Sequence, residues 1–287
     1  MAGHSNPLTP LRYPGGKGAF APFVRAVMDV NNLTGGHYLE PFAGGCGVAL
    51  DLLFNQYCSD IHINDLDLAI YNFWNSITND SENFLALLYD VPLSVEEWEK
   101  QKIILQHPEE YSSLAHGFAA FYLNRTNRSG ILKAGVIGGK SQNGTYKLDA
   151  RFNKERLSKL IIRIAKYANH IHIYNEDALS LLQKVNTLLP EKSLIYLDPP
   201  YYVKGQGLYR NFYNHNDHVN ICNALGSVNR KWIVSYDNCS EIKKIYQKYR
   251  QDEYFLTYCA YNKVKGSEIM IYGKDINIPE KRLLINK

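Results

Sequence analysis

A stiff four-residue segment, Asp198-Pro199-Pro200-Tyr201, directly follows a short apolar run that is typical of a buried strand. Asp198 and the Pro199 carbonyl could together accept both protons of an exocyclic amino group on a nucleic-acid base, whose lone pair is otherwise delocalised into the ring. The prolines stiffen the backbone and leave the Pro199 carbonyl without a partner in the sheet. Tyr201 offers a face on which a base can stack. The alternative is a rigid loop in which Asp198 is only a turn residue.

A glycine-rich segment runs from Glu40 to Gly47, between a predicted strand and a predicted helix. Glycines at such a turn, here including Gly44, let the backbone approach a ligand closely, and the helix N-terminus offers free N–H groups. Together with Pro41 and Phe42, this segment predicts a site for a nucleotide-like cofactor. The alternative is a tight turn without a ligand. The glycine spacing is not G-x-G-x-x-G, which disfavours a nicotinamide-dependent oxidoreductase.

Three further polar residues stand at the ends of predicted elements. Asp65 ends the second strand, where an acid can accept hydrogen bonds from ribose hydroxyls or cap a helix. Asp177 follows the third strand and opens a helix, so it is either an N-cap or a contact to the adenine of a cofactor. Lys17 follows two glycines and an aromatic residue, and it could hold a carboxylate or a phosphate. The alternative for Lys17 is an exposed arm.

Seven short segments rich in Ile, Val, Tyr or Leu predict the strands that would position these residues. They are residues 37–40, 60–64, 170–175, 193–197, 231–235, 254–260 and 268–272. Helical patterns alternate with them at residues 47–55, 178–189, 217–225 and 240–248. This alternation favours an α/β fold with a doubly wound, mostly parallel, seven-stranded sheet. The link 261–267 is too short for a helical crossover, so the last two strands are expected to form an antiparallel hairpin.

One region interrupts this alternation. Residues 71–160 contain no convincing strand, and helical patterns occur at residues 84–89, 95–106 and 112–125. Ser94 is a predicted N-cap, with Glu97 three residues later. The region therefore resembles a largely helical insertion between the second and third strands.

Positive charge is concentrated in the second half of this insertion. Residues 121–160 contain nine Lys or Arg and two acids, interleaved with Asn, Gln, Ser and Thr, as contacts to phosphates and base edges require. The predicted nucleic-acid contacts are Arg125, Arg128, Lys133 and Lys140. For Lys154, Arg156 and Lys159 the solvated face of a helix is the favoured interpretation.

The composition is compatible with these predictions without requiring them. The chain has 287 residues, 45% of them apolar, and a net charge of +4, which permits a polyanionic partner. Its five cysteines form no C-x-x-C pair, which disfavours a zinc site or a disulfide framework and favours a reducing, cytoplasmic compartment. The sequence has neither a signal-peptide pattern nor an apolar stretch long enough to span a membrane.

The order of these motifs resembles that of the DNA adenine-N6 methyltransferases of the Dam type, the D12 class, which use S-adenosylmethionine. That family opens with an aromatic-x-Gly-Gly-Lys segment, matched by Tyr13 to Lys17, and has a Pro-Phe-x-Gly-x-Gly loop, matched by Pro41 to Gly47. Asp65 matches the family's acid after the second strand. The resemblance covers nearly the whole chain, and residues 121–130 are similar to a Phe-Asn-Arg-containing segment at the DNA interface.

The resemblance implies a Rossmann-like methyltransferase fold and a division of labour along the chain. Residues 1–70 and 161–287 would form the catalytic, cofactor-binding domain, and residues 71–160 would form a target-recognition insertion. The implied cofactor is S-adenosylmethionine, and the implied partner is double-stranded DNA, with a flipped-out adenine methylated at a specific site by one direct displacement. A monomer suffices and no metal is required; a cognate restriction endonuclease would act as a separate protein.

The resemblance also implies roles for single residues. The implied cofactor-binding residues are Tyr13, Lys17, Pro41, Phe42, Gly44, Gly47, Asp65, Asp177 and Asp198. The residues implied to hold the target base are Asp198, the Pro199 carbonyl and Tyr201. Within the first set, Tyr13 and Lys17 would contact the methionine end of the cofactor, Asp65 the ribose and Asp177 the adenine.

Two other interpretations differ in target or in activity. The same chemistry could act on cytosine N4 or on RNA, although Asp at the head of the tetrapeptide favours adenine in the families it resembles. A non-catalytic DNA-binding module with this fold would bind DNA tightly but show no thermal shift with S-adenosylmethionine.

Overall fold

The computed structural model describes residues 8–12, 17–203, 213–259 and 263–280. The chain divides into two compact units. The helical unit comprises residues 1–16 and 67–173, and the sheet unit comprises residues 17–66 and 174–287. The functional roles assigned above to residues 1–70, 71–160 and 161–287 stay predictions.

A seven-stranded sheet is the main element of the fold. Its strands are β1 (Gly36–Glu40), β2 (Cys58–Asn64), β3 (Ile171–Tyr174), β4 (Ser193–Leu197), β5 (Lys231–Asp237), β6 (Arg250–Cys259) and β7 (Lys263–Tyr272). They lie in the order β3-β2-β1-β4-β5-β7-β6. β1 pairs in parallel with β2 and β4, and β4 pairs in parallel with β5. The predicted mostly parallel α/β sheet is confirmed, and the residues that follow β1, β2, β4 and β5 share one edge of it.

The last two strands form the antiparallel hairpin that the sequence predicts. β7 also pairs antiparallel with β5, where Asp237 lies opposite Glu268, so β7 is placed between β5 and β6. The prediction that residues 261–267 are only a link was wrong, because β7 begins at Lys263. Polar residues and a glycine interrupt the apolar pattern there, but antiparallel backbone pairing does not depend on apolar side chains. Ala260, the predicted last residue of the sixth strand, lies outside the described residues.

Ten α-helices occur in the described part of the chain. They are α1 (Ala21–Val30), α2 (Gly47–Phe54), α3 (Leu68–Asn79), α4 (Ser81–Asp90), α5 (Val95–Gln106), α6 (Ser113–Thr126), α7 (Lys154–Ala165), α8 (Ala178–Leu188), α9 (His215–Leu225) and α10 (Ser240–Ile245). Helices α8 and α9 bury their apolar faces against the sheet in one cluster that includes Leu181, Ile221 and Val234. The predicted helices are confirmed to within a few residues at each end, whereas α1, α3 and α7 are additional.

The helical unit has an aromatic core. The rings of Phe73 and Phe121 stack at 5.8 Å, and Phe84 packs edge-on against both. Ser94 Oγ accepts a hydrogen bond from the Glu97 backbone N–H at 3.1 Å, as the predicted N-cap requires. Residues 67–170 are all described and contain no strand, which confirms the break in alternation.

None of the described helices combines the length and the hydropathy that a membrane span requires.

Candidate active site

The tetrapeptide 198–201 leaves the sheet at the carboxyl end of β4, beside β5. Ser235 Oγ on β5 donates to Asp198 Oδ1 at 2.6 Å, and the hydroxyls of Ser235 and Tyr196 lie 2.9 Å apart. The Asp198 side chain is 24% exposed. The carboxyl group is therefore anchored through one oxygen while it remains reachable from solvent.

The protonation of Asp198 is set by burial and by two charged neighbours. Burial raises the pKa of Asp198 to about 6, the Lys17 ammonium opposes this rise, and the Glu268 carboxylate adds to it. Lys17 Nζ lies 3.7 Å from Asp198 Oδ1, which is an ion pair but longer than a hydrogen bond. Asp198 is thus mainly ionised at pH 7 and has a pKa near the range in which a side chain exchanges protons efficiently.

Lys17 is held inside the protein rather than on an arm. It opens a short 3₁₀ turn, Lys17–Phe20, and its side chain is only 5% exposed. Its Nζ donates to the Tyr201 hydroxyl at 2.8 Å and to Glu268 Oε2 at 2.6 Å. The structure therefore brings Lys17 together with Asp198 and Tyr201, and its predicted contact with a cofactor stays a prediction. Tyr13 lies outside the described residues.

Glu268 on β7 is a member of this cluster that the sequence did not reveal. It is 1% exposed and accepts hydrogen bonds from the hydroxyls of Tyr201 and Tyr254 as well as from Lys17. An acid at the head of an otherwise apolar run was the only signal, and it is a weak one. The cluster joins residues that are 251 positions apart in the chain.

Asp237, at the end of β5, fixes the backbone that follows the tetrapeptide. Its two carboxylate oxygens accept the backbone N–H groups of Tyr202 and Val203, each at 2.8 Å. Asp237 is buried. The exit of the chain from the tetrapeptide is therefore set by β5, which also anchors Asp198 through Ser235.

The loop after β1 has the backbone that its glycines require. Gly44 has a φ of 47°, and its N–H donates to Asp65 Oδ2 at 2.9 Å. A Cβ on Gly47 would lie 3.2 Å from the Cα of Gly18, so this position tolerates no larger side chain without a shift. The structure thus brings Gly44, Gly47 and Asp65 together, as predicted.

Asn64 and Glu40 make hydrogen bonds that hold this loop in place. Asn64 Nδ2 donates to the carbonyls of Pro41 and Glu176 at 2.9 and 3.0 Å, which ties the β1 loop to the loop after β3. Glu40 accepts hydrogen bonds from the Tyr38 hydroxyl and from the Ala49 N–H in the first turn of α2. Burial raises the pKa of Glu40 to about 8.

The chemistry of these groups fits a nucleoside cofactor. Helix α2 begins without a side-chain cap, and the small residues 43–46 lead into it. The half-buried Asp65 carboxylate can accept hydrogen bonds from hydroxyl groups. The Phe42 ring, whose centroid lies 5.7 Å from that of the Tyr213 ring, offers an apolar wall. Asp177 is exposed and caps α8 by accepting the N–H groups of Leu179 and Ser180. Its N-cap role is therefore observed, and a contact to adenine stays a prediction.

The four basic residues predicted to contact nucleic acid differ in their present partners. Arg128 and Lys133 are exposed. Lys140 is exposed too, and its Nζ pairs with Glu99 at 2.6 Å. Arg125 is half-buried and donates to the carbonyl of Arg151 at 2.7 Å, and burial lowers its pKa to about 9. Arg125 is consequently the least exposed cation of the four.

The segment 121–130 has a structural role within the helical unit. Asn124 is buried and exchanges hydrogen bonds with the backbone of Arg12, accepting its N–H at 2.7 Å and donating to its carbonyl at 2.8 Å. Asn127 accepts from Trp98 Nε1 at 2.6 Å. Lys154 donates to the carbonyls at residues 89 and 91, at the end of α4. Lys154 thus lies on a helix, as predicted, but it is half-buried and its ammonium bonds to the end of α4 instead of lying on a solvated face.

Comparison with known proteins gives one informative match. A family model described as D12 class N6 adenine-specific DNA methyltransferase matches residues 13–258. No curated protein matches the chain. Among solved structures, the crystal structure of protein LPL1258 from Legionella pneumophila (DUF519) is 12% identical, with 93% of this chain and 88% of that chain covered. Its TM-score is 0.31, so this likeness carries no argument.

Proposed function

We propose a site-specific activity for this chain, which belongs to the D12 class N6 adenine-specific DNA methyltransferase family: it transfers a methyl group from S-adenosylmethionine to N6 of an adenine that is flipped out of double-stranded DNA. Membership of this family supports methylation of adenine in DNA as the general activity. The cofactor, the flipped base and the sequence specificity are our proposals. The observation that supports them best is the environment of Asp198.

Asp198 is suited to accept a proton from an exocyclic amino group. Ser235 occupies its Oδ1, so Oδ2 is the oxygen that would accept one N–H of the adenine, while the Pro199 carbonyl would accept the other. Two acceptors draw the amino nitrogen toward tetrahedral geometry and make its lone pair available. As the new N–C bond forms, the surplus proton on nitrogen passes to the Asp198 carboxylate, whose pKa of about 6 suits that transfer.

Tyr201 would stack on the extruded base. Its hydroxyl is bonded to both Lys17 and Glu268, which fixes the position of the ring before any base arrives. A fixed aromatic face lowers the entropic cost of placing the base against Asp198.

The residues that would hold the cofactor are Phe42, Gly44, Gly47 and Asp65. S-adenosylmethionine, when bound, supplies a methyl group on a sulfonium that is already a good leaving group. The protein therefore has no nucleophile to provide, and the work left to its side chains is to orient the base, exclude water and take up one proton.

The helical unit would contact the DNA. Residues 121–160 are strongly basic, and Arg128 and Lys133 are exposed within it. Such cations neutralise phosphates and release counterions, which gives affinity without sequence specificity. Base readout would come from the interleaved polar side chains.

The proposal is tested by product analysis. Duplex DNA is incubated with the protein and methyl-labelled S-adenosylmethionine and digested to nucleosides. Label is expected in N6-methyladenine, and Asp198→Ala should lower the rate by at least about 100-fold because the proton acceptor is lost. Asp275→Ala, which changes an exposed aspartate, is the matched control and should methylate normally. Label only in N4-methylcytosine, or equal rates for the Asp198 variant and the unmodified protein, would contradict the proposal.

A further inference from the structure

Lys17 lies between two carboxyl groups, the buried one of Glu268 and the partly exposed one of Asp198, and it makes the shorter contact with Glu268. Its Nζ is 2.6 Å from Glu268 Oε2 and 3.7 Å from Asp198 Oδ1. A buried ammonium requires a counter-charge, because an unpaired buried charge is strongly destabilising. Either carboxylate could serve, so the observed choice of Glu268 has consequences for Asp198.

We propose that Glu268 is a positioning residue that keeps Lys17 away from Asp198, so that the Asp198 carboxylate stays free to accept the amino group of the target base. The inference rests on the proposed function in one respect only, namely the task of Asp198. The competition between the two carboxylates for Lys17 is a property of the protein alone.

Glu268 is well placed to win this competition. Its donors include the Lys17 ammonium and the hydroxyls of Tyr201 and Tyr254, and it is 1% exposed. Its position on β7 between two paired strands leaves it little freedom to move. Asp198 has a competing donor, Ser235 Oγ at 2.6 Å. The Lys17 ammonium therefore lies close enough to Asp198 to favour the ionised form of this carboxyl group, but too far away to occupy its lone pairs.

Among the described residues, two charged groups influence Asp198 most strongly near pH 6. In the part of the chain that the structure describes, the ionisable groups that influence it, or that it influences, include Lys17, Glu40, Tyr196, Tyr201, Tyr254 and Glu268. Burial raises the pKa of each of the three tyrosines, so all are neutral. Glu40 is protonated, since its pKa is about 8. Lys17 and Glu268 therefore dominate the electrostatics of this carboxyl group.

Replacing Glu268 by Gln gives an unusual combination of effects. The negative charge that adds to the rise of the Asp198 pKa disappears, and Lys17 is expected to move from 3.7 Å to hydrogen-bonding distance of Asp198. Both changes lower the pKa of Asp198. The rate falls nevertheless, because a carboxylate in contact with an ammonium is a poorer acceptor for the base.

The test compares Glu268→Gln with the double variant Lys17→Met/Glu268→Gln. The carboxyl titration of Asp198 is followed by carbon-13 NMR in the protein without DNA, with the signal assigned through Asp198→Asn. In Glu268→Gln the midpoint should move below 6 by about one pH unit or more, with kcat lowered at least about tenfold and the KM for DNA unchanged. In the double variant the Lys17 cation is removed as well, so the midpoint should rise above that of the single variant.

The control is Glu253→Gln, which changes an exposed glutamate of β6 that pairs with Lys243 and should leave the titration and the rate unchanged. A midpoint in Glu268→Gln that stays at about 6 or rises, or the same midpoint in the single and double variants, would overturn the inference. Because the titration needs neither DNA nor cofactor, the expected shifts without any methylation would instead reject the proposed function alone. Thermal unfolding of each variant establishes that it is folded.

Discussion

At the scale of single residues, Asp198 must meet two demands that oppose each other. A carboxylate that bonds strongly to its surroundings is stable, but it has no lone pairs left for a substrate. The protein solves this with one short contact, from Ser235, and one longer ion pair, to Lys17. Motif spacing predicted Asp198, Lys17 and Tyr201. It could not predict Glu268, Asp237 or Ser235, because each is an isolated polar residue in a strand and acquires its role only when strands from distant parts of the chain pair.

The pKa of Asp198 predicts how the rate depends on pH. Burial raises this pKa above its usual value, to about 6, so the carboxyl group becomes protonated as the pH falls through 6 and then donates rather than accepts. The expected outcome is a kcat/KM for methylation that is constant near neutrality and falls about tenfold per pH unit below 6. A pH–rate profile on duplex DNA measures this. A rate that is still flat at pH 5 would show that Asp198 is not the titrating acceptor.

At the scale of elements, apolar strands could be predicted from the sequence, whereas the polar parts of strands could not. β4 was predicted at its observed residues because all five are buried. β7 was predicted five residues too short, since its first half carries lysines, a glycine and a serine. Helix α3 was missed although Asp67 caps it, because asparagines interrupt its apolar spacing. The connection from β1 to α2 is held in part by one buried acid, Glu40, which accepts the Ala49 N–H.

Glu40 predicts a pH-dependent effect on stability. Its pKa in the folded protein, about 8, exceeds the ordinary value of 4.5. Between these values the unfolded chain binds fewer protons than the folded one, so the stability that protonated Glu40 contributes is present below pH 4.5 and is lost as the pH rises through 8.

Glu40→Gln should therefore raise the melting temperature at pH 8 by roughly 3 °C or more. The amide oxygen can still accept the bonds from Tyr38 and Ala49. At pH 5 the two proteins should melt at nearly the same temperature. Calorimetry at both pH values checks this. A variant that is less stable than the unmodified protein at pH 8 would show that Glu40 is not a buried carboxyl group with a raised pKa.

At the scale of the whole molecule, the mild net charge of +4 conceals a strong asymmetry. Residues 121–160 hold nine basic and two acidic residues, so the remainder of the chain is net acidic. The sequence predicted this polarity, but it could not predict that residues 8–12 join the helical unit. That placement depends on hydrogen bonds between the Arg12 backbone and Asn124, 112 positions away.

The basic segment predicts how salt affects DNA binding, and two lysines provide a matched pair. Lys133 is exposed, whereas Lys154 is used to bond the end of α4. Lys133→Met should weaken DNA binding several-fold and reduce the slope of log K against log salt by about 0.9. Lys154→Met should leave that slope unchanged and lower the free energy of unfolding by roughly 1 kcal/mol. Fluorescence anisotropy over a range of salt concentrations, with denaturant unfolding, measures both. If the two variants have equal slopes of log K against log salt, Lys133 does not contact a DNA phosphate.

The insertion of β7 between β5 and β6 has a consequence for biosynthesis. A ribosome makes the chain from the N-terminus, so Lys17 is synthesised before its counter-charge, Glu268, which follows it 251 positions later. β6 is complete before the strand that must separate it from β5 exists. During translation the nascent chain therefore holds an ammonium without its native counter-charge and a sheet without an interior strand. The cluster of Lys17, Asp198, Tyr201 and Glu268 can be completed only once β7 has left the ribosome.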